Sequence, residues 1–234
     1  MNARRALRSL IGPGAFAGAA LVAARTEPGY RHRDEPVSAL AAKGSRGAAV
    51  MVPGFLGLGA GSLALARDLR GSDVAPDPVP AMLALAGLAT TGAGLARNSD
   101  RSCPSRLLGD TNYTASDDAH AACALVTFSM WVAIPLVAAR RATGATARYR
   151  RWSRLLGVSA LAGLVVDGVL ARRHAERWSG VTQRAVLASA LGGVLSCPAW
   201  ALPEAERKAL AERLRSLAWL VENCVPDEAE SRVG

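Results

Sequence analysis

Residues 121–139, AACALVTFSMWVAIPLVAA, run from His120 to Arg140 without a formal charge. An α-helix rises about 1.5 Å per residue, so a stretch of about 20 apolar residues crosses the roughly 30 Å hydrocarbon core of a bilayer. The same pattern recurs at residues 9–24, 47–66, 78–96, 155–171 and 185–203. The first of these is about one residue short of the usual lower limit of roughly 17. The stretch 155–171 is interrupted by Asp167. This spacing predicts an all-α, polytopic six-helix transmembrane bundle over residues 1–202.

Beyond Pro203 the chain becomes amphipathic. Leu210, Leu214, Leu217 and Val221 recur at helical spacing, with Glu206, Arg207, Glu212 and Arg213 elsewhere on the helical wheel. That predicts a cytoplasmic amphipathic helix at 203–225, packed on the bundle or the bilayer surface or held by a partner. Residues 226–234 read as a disordered tail.

Hydrophobic residues make up 50% of the chain, yet mean hydropathy is only +0.17. Ala and Gly supply much of the apolar content, and Arg crowds the connections. Small residues let helices approach closely. The net charge of +9 does not imply nucleic-acid binding, because the basic residues flank apolar helices and form no stripe interleaved with aromatics. They fit anchoring to anionic headgroups, with membrane lipids as the partners.

The loop 140–154 carries Arg140, Arg141, Arg148, Arg150, Arg151 and Arg154 with no acid, whereas the loops 26–46 and 97–119 mix basic residues with Asp and Glu. Positive charge collects in the cytoplasm, so both termini are expected inside, in a multi-pass protein of the cell membrane. The rival for the first stretch is a cleaved signal peptide, with Arg4–Arg5 as its basic region and Val22-Ala23-Ala24 as its cleavage site.

Under this orientation the polar residues near the helices gather at the outer end. Asp167 precedes the outer end of the fifth helix, and Gln183 and Arg184 begin the sixth. His120 begins the fourth, after Asp117 and Asp118, while Tyr30 and Ser38 lie in the first outer loop. An ionisable residue within a membrane helix is costly and marks a candidate site. Asp167 and Arg184 fall at matching depths and are each other's expected partner.

The first functional reading is an outward-facing polar pocket that binds a small molecule or lipid through Asp167, Arg184, Gln183, His120 and Tyr30. The alternatives are a membrane-embedded hydrolase using Ser38, His120 and Asp118 or another Asp, and a small transporter with Asp167 in its path. Enzymatic activity is left open.

No cofactor or metal is expected. The three histidines, His32, His120 and His174, form no close ligand pair, and the four cysteines show no C-x2-C spacing. Cys103 and Cys123 share the outer side, where a disulfide between them is one alternative to a buried thiol at Cys123. The run Gly57-Leu58-Gly59-Ala60-Gly61-Ser62 lacks the Lys-Ser/Thr ending of a phosphate loop, and Gly57 with Gly61 reads as a GxxxG helix-packing face.

Several features together carry a family resemblance. They are the basic amino terminus, Pro28-Gly29-Tyr30 after the first helix, Val37-Ser38-Ala39-Leu40 before the second, the Asp-rich approach to His120, and Gly180-Val181-Thr182-Gln183-Arg184 opening the sixth. Over about residues 4–200 the chain resembles the domain-of-unknown-function nine-nine-eight family of bacterial six-helix membrane proteins. The resemblance implies the architecture and no particular chemistry. The sequence departs from the family's pattern at Ala115-Ser116-Asp117-Asp118-Ala119 and in its Cys-containing loop.

Overall fold

Each charge-free stretch folds as one helix. The computed structural model describes residues 3–71, 75–101, 114–142, 146–172 and 178–200, with Ala205, Lys208, Ala209, Glu212 and Arg215 beyond them. The helices are α1 (Ala3–Thr26), α2 (Ala48–Asp68), α3 (Val79–Leu95), α4 (Ala115–Arg141), α5 (Ala147–Arg172) and α6 (Ser179–Trp200), with a short 3-10 helix at Val37–Ala41. No strand occurs among the described residues. Most of the expected amphipathic helix at 203–225, and all of the expected tail at 226–234, lie outside them.

Local chemistry sets the helix ends. At the start of α4, the Thr114 side chain accepts from the Asp117 backbone N–H, and the Asp117 carboxylate accepts from the Thr114 N–H, forming a capping box. Arg140 and Arg141 close the same helix at the negative end of its dipole. Beyond α2, Gly71 takes a φ of +73°, a turn conformation that a side chain disfavours.

Consecutive helices pack on one another, and α6 also packs on α4 and touches α1, which closes the bundle. Small residues make these contacts close. A Cβ on Gly61 would lie 2.8 Å from the Gly12 Cα in α1, and one on Gly57 would meet the Ala15 side chain. Both residues of the GxxxG pair therefore face α1. Gly59, between them, faces α3, where a Cβ would lie 2.8 Å from the Gly87 carbonyl oxygen. Phe16, Ala19 and Ala23 are buried on the face of α1 that packs against the bundle.

The exterior is far more apolar than that of a water-soluble bundle. Leu21, Leu88, Leu125, Leu155, Leu161 and Val165 are exposed, while Ser62, Thr90, Thr127 and Ser153 are buried. An apolar exterior of this extent marks a surface that meets lipid or another apolar phase. By length and composition α2, α4 and α5 are each able to cross a membrane, and α3 is a shorter apolar helix. These apolar helices identify a membrane protein. α5 is the most peripheral, with an exposed face of Leu155, Val158, Leu161, Val165 and Val169.

The 3-10 helix Val37–Ala41 is docked into the bundle. Val37, Ala39, Leu40 and Ala41 are all buried.

Candidate functional site

The loop between α1 and α2 is strapped across one end of the bundle by residues distant in sequence. Glu27, the first residue after α1, is only 8% exposed. Its carboxylate accepts from the Ser45 hydroxyl (2.6 Å) and the Gly47 N–H (3.0 Å), which ties the loop's two ends together. Arg101 bridges Glu27 and Glu35, at 2.8 Å to each. Burial pushes the Glu27 carboxyl up, but the hydrogen bonds from Ser45 and Gly47 and the Arg101 charge together hold it below its ordinary value.

The α6 end supplies a second clamp. Arg184 donates to the carbonyl oxygens of His32, Glu35 and Gly180 and to the Tyr30 hydroxyl oxygen. Its guanidinium also lies 5.7 Å from the Tyr30 ring centroid. The Gln183 side-chain oxygen accepts from the Val37 N–H at 2.6 Å. Gly180 permits this approach, since a Cβ there would run into the His32 and Glu35 carbonyl oxygens. Just past the end of α3, Arg97 donates to the carbonyls of Ala41 (2.8 Å) and Ala42 (2.7 Å), fixing the end of the 3-10 helix.

Beneath the strap lies a small cavity of about 50 Å³. Ser38 and Val37 from the 3-10 helix, His120 from α4 and Gln183 from α6 line it on the strap side. Phe16, Phe55, Leu58, Ala93, Ala124, Phe128 and Leu187 form apolar walls, and Thr90, Thr127 and Trp131 line its far end. From His120 to Trp131 the cavity follows α4 for about 16 Å.

His120 is fixed in orientation. Its Nδ1 lies 2.8 Å from the Ala93 carbonyl oxygen and 2.9 Å from that of Ala96, at the end of α3. Carbonyls only accept, so Nδ1 carries a proton. The neutral ring therefore keeps its lone pair on Nε2. The partner is a helix terminus rather than a carboxylate. Asp117 instead accepts from the Ser99 N–H (2.6 Å), the Ser99 hydroxyl (2.8 Å) and the Thr114 hydroxyl (2.7 Å), which holds the loop leading into α4.

Of the residues expected at the site, Ser38, His120 and Gln183 come together on the cavity. Tyr30 and Arg184 build the strap above it, and Asp118 is not among the lining residues. The expected Asp167–Arg184 ion pair is not made. Asp167 accepts from the Thr182 hydroxyl on α6, while Arg184 is committed to the strap. Matching depth on neighbouring helices does not fix which way around the helix a side chain points. Cys123 is a free thiol packed against Gly92, and Cys103 lies outside the described residues.

Sequence reasoning missed the Glu27–Arg101–Glu35 clamp and the far-end trio of Thr90, Thr127 and Trp131. A tryptophan within a charge-free stretch is a usable signal for the latter, because its N–H needs a partner when buried.

Residues 10–214 match a family described as "Protein of unknown function (DUF998)". No curated protein and no solved structure matches the chain.

Proposed function

The chain belongs to the DUF998 family of proteins of unknown function, and from that premise we propose a multi-pass membrane protein whose outer-end cavity binds a small molecule or lipid. All six helices cross the bilayer, and both termini are cytoplasmic. The basic, acid-free loop at 140–154 supports this orientation. Trp152 and Trp178, half-exposed near opposite ends of the bundle, support the crossing, since tryptophan is favoured at both membrane interfaces. Membrane lipids surround the apolar exterior.

The observation that carries the binding reading is the cavity itself. Small-molecule sites are mostly apolar hollows with a few placed polar groups. Here Ser38, His120 and Gln183 are those groups on the strap side. The test is photolabelling in lipid nanodiscs with an acyl chain bearing a diazirine, followed by peptide mapping. Labelling concentrated on α4 between Ala124 and Trp131 is the expected result. Labelling confined to the outward face of α5 contradicts the reading.

A second reading is a hydrolase. One observation favours it: Ser38 and His120 line the same cavity, and the His120 ring is oriented with Nε2 as its basic nitrogen. A fluorophosphonate probe that labels Ser38, with labelling lost in His120→Gln, would support it. The transporter reading has no comparable observation behind it. Past Trp131 the interior is filled by Leu65, Leu69, Val79, Leu83, Ile134 and Ala138, all buried and apolar.

A further inference from the structure

At the strap end four arginines are spent inside the protein. Arg33 pairs with Asp34, and Arg101 with Glu27 and Glu35, while Arg97 and Arg184 donate to backbone carbonyls. The α4–α5 turn at the other end is different. Arg140, Arg141, Arg148, Arg151 and Arg154 are all exposed there, and among the described residues they make no hydrogen bond or ion pair. The helices packed on α5 bring no neutralising charge. α6 contains no acid, and the two in α4, Asp117 and Asp118, lie at its opposite end.

α5 carries this charge directly onto an apolar face. Arg148 and Arg151 lead into Leu155, Val158, Ala162, Val165 and Val169 at alternating steps of three and four residues, and all seven are exposed. That spacing places them on one side of the helix. Arg154 and Trp152 flank the series, and Trp152 is 49% exposed, as suits a residue at a membrane interface. From Arg148 to Arg154 the charges span about 9 Å of the axis, and from Leu155 to Val169 the apolar face runs on for about 21 Å. Lipid chains can cover the apolar part whatever their headgroup. The headgroup itself meets three uncompensated guanidiniums, whose planar donors match phosphate oxygens.

We infer that this face of α5 is a binding site for a phospholipid with a net-negative headgroup, its phosphate at Arg148 and Arg151 and its chains along Leu155–Val165. Each arginine near the surface favours an anionic lipid by about fivefold, so the cluster selects by charge. A second copy of the chain is a poorer occupant. A two-fold pairing through α5 would set the same patch against itself, arginine cluster against arginine cluster. The inference rests on α5 crossing the bilayer and is independent of the cavity.

The test uses the full chain in phosphatidylcholine nanodiscs doped with a photoreactive lipid at low mole fraction. Two probes carry the same mid-chain diazirine, one on phosphatidylglycerol and one on phosphatidylcholine. Phosphatidylglycerol is expected to label Leu155–Val165 at least about tenfold more than phosphatidylcholine does. Arg148→Gln with Arg151→Gln should lower that preference about tenfold and leave phosphatidylcholine labelling unchanged. Arg148→Lys with Arg151→Lys keeps the charge and should keep most of the preference, which separates charge from a folding defect. Equal labelling by both lipids in the wild type, or an undiminished preference in the glutamine variant, overturns the site and leaves the crossing standing. Labelling at the exposed Leu88 of α3 but none on α5 would show that protein covers this face, and also overturns it. Absence of labelling throughout the bundle overturns the crossing as well.

Discussion

Arg184 and Tyr30, separated by 154 positions in sequence, meet twice: the guanidinium donates to the phenol oxygen and also lies over its ring. This contact joins the loop between α1 and α2 to the start of α6 and, with the Arg184 bonds to three backbone carbonyls, holds the roof of the cavity in place. The planar guanidinium reaches several acceptors at once, which an ammonium cannot reproduce.

Arg184→Lys is therefore not a conservative change. It should lose most of these bonds, and Arg184→Ala should destabilise the protein by about 1.5–3 kcal/mol. Thermal unfolding in detergent checks the loss. Limited proteolysis of the 27–46 loop should accelerate in the same variants, while the helices remain protected.

The Glu27 carboxyl gives the strap a pH dependence of known sign. Its folded pKa lies below the ordinary 4.5, so its contribution to stability is present above 4.5 and is lost as pH falls through the folded value. Wild-type unfolding temperature should drop on acidification from about pH 7 to about pH 3. Glu27→Gln should be less stable at neutral pH and should show a smaller drop over that range. An equal drop in both proteins would assign the acid sensitivity to other groups.

The glycine run of α2 allows a paired comparison. Gly59→Ala pushes a methyl group into the Thr91 side chain and the Gly87 carbonyl and should cost about 1–3 kcal/mol by overpacking. Gly14→Ala in α1 meets nothing within 4 Å, and alanine is the better helix former. It should be neutral or slightly stabilising in the same unfolding assay.

Orientation is open to cysteine labelling in a variant with the native cysteines replaced by serine. Lys43→Cys should react with a membrane-impermeant maleimide in intact cells, and Arg148→Cys should react only after the membrane is permeabilised. The reverse pattern would invert the topology while keeping the bundle.

The helices were legible because apolar length without charge has one stable solution in a bilayer, a helix with its backbone satisfied internally. Residues 121–139 and 155–171 needed no tertiary information. The strap was not legible. Arg101 reaches Glu27 across 74 positions, and no periodicity reports a pairing made by loop closure. The depth argument brought Ser38, His120 and Gln183 to one end of the bundle, where they share a cavity. The same argument failed for Asp167 and Arg184, because depth is set by position along a helix and partnership by rotation around it. Trp131 was visible as a residue but not as an unpaired donor, which depends on what α3 places beside it.

The cavity is the centre of this account, and filling it is the most direct test. Ala124 lines its wall midway between His120 and Trp131, and Ala124→Leu would occupy that space from within. Native mass spectrometry of protein released from membranes should show a retained small-molecule or lipid adduct on the wild type and its loss from Ala124→Leu, with both proteins folded. An adduct of the same mass and abundance on both would place the ligand elsewhere and contradict the assignment.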